Sequence, residues 1–428
     1  MTLTHSGRVL NIASAGRGQP LSSRPFRAGT WLVVLLTFVP YVGFPLGNNT
    51  NVPLSSIVSC LFLLGALRTP TVARTAWFLI LGPIVLTAVG HLIGLSNLVN
   101  VNALIVWPLY VMPFAAFGVI ASTNPRQLLN PLRVSIAASI LLAVIQKFFF
   151  LDRGVVPLLG YYSLPGYASV QNNAEIIATY IRRPFGAFPE PSFMAGTIAL
   201  ALMALFFLLR ADEIKPRLSD YFLLLIGAGL IVLSASGSGI FTVGLMLITG
   251  YWGAFKGAAR LVAVPVILIA GFFAASNVLS SRLTDINGSW IDRFSSIVAS
   301  LRYISTSPGA FWFGTGSGTS ARLFGAGDIS LNGLNYRSAI TDVFSVLGRL
   351  VLEVGVPVGG GIVVLLLVAV GRGFSRIQGP VPAIAAILGY VVVAGLTISY
   401  DSAAWLWAFP GICLGLTPRH WKAREEGV

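Results

Sequence analysis

Long apolar runs separated by short polar turns repeat along the chain from residue 29 to residue 418. Most are about 17 to 25 residues long, the length at which a helix crosses a bilayer. They fall near 29–47, 52–68, 75–95, 98–121, 132–151, 191–210, 220–236, 239–256, 260–277, 342–370, 381–399 and 403–418. The stretch 342–370 reads either as two segments, near 341–357 and 358–371, or, as preferred here, as one long tilted helix. This pattern predicts an all-α polytopic membrane protein with about twelve transmembrane helices in a single integral membrane domain, 1–428. Two polar stretches are too long to be turns, 152–190 and 278–341. Within the second, SWIDRFSSIVASLRYI places Ile291, Phe294, Ile297, Val298, Leu301 and Ile304 at helical spacing. Ser289 and Asp292 have capping-box spacing. This amphipathic helix is too short and polar to span, and is expected to lie on the membrane surface.

Composition agrees with the pattern. The chain is 55% hydrophobic and 10% charged, whereas soluble proteins carry about a quarter charged residues. Its net charge of +14 would suggest nucleic acid on a soluble protein. Here no basic run interleaves with aromatics, and no nucleic-acid partner is expected. The basic residues fall instead in alternate turns: Arg68 and Arg74, Arg126 and Arg133, Arg210 to Arg217, Lys256 and Arg260, Arg372 and Arg376, Arg419 to Arg424. The intervening turns GNNTN, SNLVN, SASGSG and SYDSA hold none. The positive-inside rule then puts both termini in the cytosol and both long loops on the outer face. The first apolar run lacks an A-x-A-like cleavage site, so it is expected to be retained as a span. Cys60 and Cys413 fall inside spans and read as small buried hydrophobes. Neither a metal site nor a disulfide framework is expected. No internal repeat is evident.

Arginines that stay on the outer face against this bias mark the candidate chemistry. RRPFGAFPEPSFMAG sets Arg182, Arg183 and Glu190 at the entrance to the sixth span. Pro191 suits the first helical turn, and Glu190 would sit at a positive helix end. Glu190 reads either as a capping carboxylate beside two headgroup anchors, or as a fixed base beside a guanidinium pair. The second loop adds Arg293, Arg302 and Arg337, either structural or facing lipid phosphate. FGTGSGTS lacks the lysine of a phosphate-binding P-loop and is expected to be a flexible flap over a cavity. Asp342, Arg349 and Glu353 open the tenth span, with Arg349 and Glu353 on one helical face. Ionisable groups there either pair with one another or line a cavity. His91, near the outer end of the third span, is either a hydrogen-bonded helix contact or a proton carrier.

These residues also resemble a family. R-x-x-G-x-F-x-E-P-S-x-x-A at a span entrance (Arg183, Gly186, Phe188, Glu190, Pro191, Ser192, Ala195) is followed by the glycines Gly314, Gly316 and Gly318. Then comes a helix with E-V-G-V-P (Glu353, Gly355, Pro357). This order is similar to the bacterial O-antigen and exopolysaccharide polymerase/ligase superfamily (Wzy-type). The resemblance implies a GT-C-like membrane glycosyltransferase in the bacterial inner membrane, with its site facing the periplasm. It also implies a substrate of oligosaccharide on undecaprenyl pyrophosphate, and work without cofactor or metal. A chain-length-regulating co-polymerase, a flippase and membrane lipids are the partners of that setting. Ligases of the family carry a histidine where this chain has Asp342, and the E-P-S form is closer to polymerases. The expected roles are Glu190, Asp342 and His91 in catalysis, with Arg182, Arg183, Arg293, Arg302, Arg337, Arg349 and Glu353 binding diphosphate or glycan. Ligase-type transfer and a twelve-helix transporter remain as alternatives.

Overall fold

The computed structural model describes residues 24–40, 42–45, 51–66, 69–93, 101–155, 182–188, 190–234, 237–252, 289–336, 340–397 and 403–425. The expected span at 260–277, most of the loop 152–190, Arg337 and several of the turns lie outside the described residues. The rest is almost wholly helical. In chain order come α1 (Arg24–Leu36), α2 (Leu54–Ser59), α3 (Leu63–Ala66), α4 (Pro70–Leu92), α5 (Val101–Thr123) and α6 (Arg126–Ile145). Then follow α7 (Pro191–Ala211), α8 (Leu218–Leu233), α9 (Gly237–Tyr251), α10 (Ser289–Thr306), α11 (Pro308–Phe313) and α12 (Ser320–Ala326). The last are α13 (Val346–Val354), α14 (Gly361–Ile377), α15 (Pro380–Val392) and α16 (Ala404–Glu425). Among the described residues, 5 helical stretches are long and apolar enough to cross a membrane: α4, α5, α6 with its extension to Arg153, α7, and Val356–Ile377. Six shorter apolar helices accompany them.

Helix α7 is the axis of the bundle. Every residue of it except Ser192 and Arg210 is buried. Helices α6, α8, α9, α14, α15 and α16 all pack on it. Phe207 of α7 stacks on Phe374 of α14 at 4.3 Å, and Phe374 in turn meets Phe409 of α16. Between membrane helices, where lipid tails are as apolar as the side chains, such close packing is the main source of association. Small residues extend it where α16 crosses α5. A Cβ on Gly415 would stand 2.2 Å from the Gly118 carbonyl oxygen, and one on Gly411 would stand 2.4 Å from that of Phe114.

Helix polarity sorts the loops to two ends. The start of α6 meets the end of α7 through an Arg126–Asp212 ion pair. Two turns further along α6, Arg133 holds Asp220 of α8 in a two-pronged contact at 2.6 and 2.9 Å, with the Asp220 side chain fully buried. At the other end lie Glu190, the π-turn that closes α6 and the helices α10 to α13. Helix order places Arg74, Arg210, Arg372 and Arg376 at the Asp212 end too.

Three expectations change. The span 342–370 is not one helix. Ser345 caps α13 by accepting from Gly348 N–H at 3.1 Å, so Asp342 precedes the helix. The chain then breaks at Gly355, whose φ of 84° is left-handed, and a π-turn (Val356–Gly360) containing Pro357 leads into α14. A two-stranded hairpin, Gly43–Pro45 against Asn51–Pro53, flanks the turn between the first two spans. Finally, α10 is rotated from its apolar face. Arg293, Ser296, Ala299, Ser300 and Ile304 are buried, while Phe294 and Leu301 are exposed. The helix lies over polar loop ends, so its serines turn inward: Ser295 Oγ donates to Asn335 O at 2.5 Å and Ser300 Oγ to Ser296 O at 2.7 Å. Ala299 and Ile304 join a small second core with Leu323, Phe324, Ile329, Ile340, Val343 and Leu352.

Candidate functional site

Glu190 stands in extended conformation immediately before α7, with Pro191 in the first turn. Its carboxylate does not cap the helix. Oε2 accepts from Ser192 Oγ at 3.0 Å and from Arg293 Nη2 at 3.1 Å. Among the described residues no hydrogen bond reaches Oε1, and the side chain is 31% exposed. Arg293 is more deeply set, and its Nη1 donates to the Leu396 carbonyl at 3.2 Å, in the π-turn that follows α15. One guanidinium therefore ties α7, α10 and the end of α15 together at the centre of the bundle end.

A second carboxylate–guanidinium pair lies nearby. Asp342 Oδ2 accepts from Arg349 Nη2 at 2.5 Å. Oδ1 accepts from Ser320 Oγ at 2.5 Å and from Val343 N–H at 2.7 Å. Arg349 and Asp342 meet because the non-helical segment before α13 folds back on that helix. The two pairs are joined through Ser296. Its Oγ donates to Arg293 O at 2.7 Å and accepts from Phe344 N–H at 3.2 Å, two residues from Asp342.

Glu353 is buried near the end of α13. Its carboxylate is buried under the glycine loop, where Oε2 accepts from Gly318 N–H at 2.8 Å and Oε1 from Ser320 N–H at 3.2 Å. The loop also sends Thr315 N–H to Leu352 O and Gly316 N–H to Glu353 O, at 3.0 and 2.9 Å. The anion held by these amides is thus the protein's own, and the loop is fastened rather than a free flap. Its approach needs glycine on both sides. Gly314, at φ 73°, would place a Cβ 2.3 Å from the Glu353 carbonyl oxygen.

The arginine segment 182–188 enters the same end. Arg182 is exposed and has φ 51°, left-handed for a residue with a side chain. Arg183 is half-buried. The segment is held by two neighbours in the π-turn after α6. Gln146 Oε1 accepts from Phe185 N–H at 2.8 Å and Gly186 N–H at 2.7 Å. Lys147 Nζ donates to the Arg182 carbonyl at 3.1 Å and to Asp152 at 2.8 Å. The sequence gives one signal for this, a glutamine beside a lysine inside the apolar run AVIQKFFF. The expected site missed Gln146, Ser320 and Ser296.

Arg302 does not share the Arg293 face. Nine helical positions turn through about two and a half turns, to the opposite side, and Arg302 Nη1 donates to Asn332 O at 3.0 Å on the exposed face. His91 is exposed in the last turn of α4. Among the described residues no group of three or more His, Cys, Asp and Glu could hold a metal ion. The arrangement therefore offers fixed guanidinium charge, carboxylate oxygens and a partly open acceptor at Glu190, gathered at one bundle end. No protein-family model matches the chain, and no curated protein matches it.

Proposed function

We propose that this protein is a polysaccharide polymerase. It would join oligosaccharide repeat units carried on undecaprenyl pyrophosphate, as a twelve-span GT-C-like glycosyltransferase of the bacterial inner membrane. The supporting observation is the Glu190–Arg293 junction, in which a carboxylate from one loop and a guanidinium from the other meet at the head of the central helix. The Asp212 end, rich in arginine, would face the cytosol. The Glu190 end would then face the periplasm.

The chemistry follows from the groups. An acceptor hydroxyl forms a bond to the anomeric carbon of the donor sugar. The bond from that carbon to phosphate breaks, and its electron pair leaves on the pyrophosphate. That charge needs guanidinium contacts, which fork onto phosphate oxygens and stay charged beside lipid. Arg182, Arg183 and Arg293 supply them. The hydroxyl proton passes to a carboxylate, and Glu190 Oε1 is the open acceptor. Asp342, with both oxygens already engaged, holds Arg349 in place.

The test is incubation of the purified protein with lipid-linked repeat units, read as a ladder of chain lengths. Arg183→Ala, Arg293→Ala and Glu190→Gln should each lower extension by about a hundredfold or more. A full ladder from Arg293→Ala would overturn the assignment. Transfer of one finished chain to a second lipid, without a ladder, would favour a ligase; substrate counterflow in proteoliposomes would favour a transporter.

A further inference from the structure

We propose that Gln146 is a positioning residue for the arginine segment, setting the Arg182 guanidinium to meet the diphosphate of a polyprenyl lipid. The inference rests on the polymerase reading for its ligand, and on geometry for everything else. Gln146 is 1% exposed and lies inside an apolar run. A buried amide must find partners, and its oxygen takes two consecutive backbone donors, Phe185 and Gly186. Gly186, at φ 59°, turns the chain so that both N–H groups face one oxygen. Lys147, the next residue, fixes the same segment from its other side at the Arg182 carbonyl.

The consequence falls on Arg182. With its carbonyl held on one side and residues 185–186 held on the other, the backbone at 182 is kept left-handed. A residue with a side chain adopts that conformation only where its surroundings enforce it, and such strain gathers at ligand clamps. Among the described residues, nothing pairs with the Arg182 guanidinium, which is exposed. Arg293 and Arg349, by contrast, each hold a carboxylate of the protein as well, Glu190 and Asp342. The clamp is itself a π-turn, Gln146–Phe150, a feature that recurs at functional sites. The same turn exposes Phe148 and Phe149, apolar rings suited to contact with lipid. The clamp therefore presents an exposed cation beside a lipid-facing edge, where a polyprenyl chain and its diphosphate would arrive together.

The experiment measures farnesyl diphosphate binding to the full chain in nanodiscs. Arg182→Ala should weaken binding roughly tenfold, the loss of one charge-assisted phosphate contact. Gln146→Met, which keeps the volume and removes the acceptor, should weaken it by a similar factor. Gln146→Glu, which keeps the acceptor, should bind as the parent does. The double variant Arg182→Ala with Gln146→Met should be no weaker than Arg182→Ala alone, because Gln146 acts through Arg182. Additive losses, or a Gln146→Met variant that binds normally while Arg182→Ala does not, would overturn the clamp and leave the polymerase reading standing. No binding by the parent protein would overturn both. Should Gln146→Met fail to fold, parent-like binding by Gln146→Glu supports the clamp, and a tenfold loss in a folded Gln146→Glu overturns it.

Discussion

Glu353 poses a question at the scale of one side chain, since a carboxylate beside a glycine loop could serve substrate or fold. Its two oxygens are occupied by Gly318 and Ser320 N–H groups. Each buried donor left without a partner costs about 1–3 kcal/mol. Glu353→Ala should therefore lower the thermal midpoint in detergent before any kinetic effect is read. A variant with unchanged melting but lost diphosphate binding would return Glu353 to the substrate. Ser320 offers a finer probe. Its hydroxyl touches Asp342 and its N–H touches Glu353, so it couples the two carboxylates. Ser320→Ala should shift the Asp342–Arg349 pair while preserving the loop, read as slower chain extension with unchanged melting.

At the scale of elements, the packing makes its own forecasts. Gly415 lies against the Gly118 backbone, so Gly415→Ile must push α16 off α5. Overpacking a close contact typically costs about 1–3 kcal/mol, occasionally more; the expected result is a sharply lower yield of monodisperse protein on size exclusion. Hydropathy made most helices legible, because a bilayer-crossing helix needs a long apolar run whatever it packs against. Pro191 marked the start of α7 and placed Glu190 at its head. The sequence was less informative where backbone geometry overrode periodicity. Residues 342–370 are apolar enough to read as one helix, yet a left-handed Gly355 divides them. The apolar stripe of α10 misled for a different reason. Periodicity reports where apolar groups are, whereas the polar loop ends beneath that helix select its serines and Arg293. The site was partly legible: Glu190, Arg293, Asp342 and Arg349 are brought together as two ion pairs. The Glu190–Arg293 pair spans 103 positions, and no local pattern encodes which arginine answers which carboxylate.

For the whole molecule, the two bundle ends have different tasks. The Asp212 end is a lock. Asp220 is fully buried against Arg133, and removing one partner of such a pair costs about 3–5 kcal/mol. Asp220→Ala should destabilise strongly while leaving the residues around Glu190 untouched, so that any surviving folded fraction retains its specific activity. Orientation has a direct check. A cysteine introduced at Asp328, on the Glu190 end, should react with an impermeant maleimide on intact cells, and one at Glu213 only after the membrane is opened. The reverse pattern would place the site in the wrong compartment for the proposed chemistry. Because the helix that begins just beyond Glu190 is encased by its neighbours, the bilayer grips only the outer ring of helices. Reconstitution into thinner or thicker membranes should tilt that ring and leave the carboxylate at its hub unmoved, giving turnover that tolerates wide changes in acyl length.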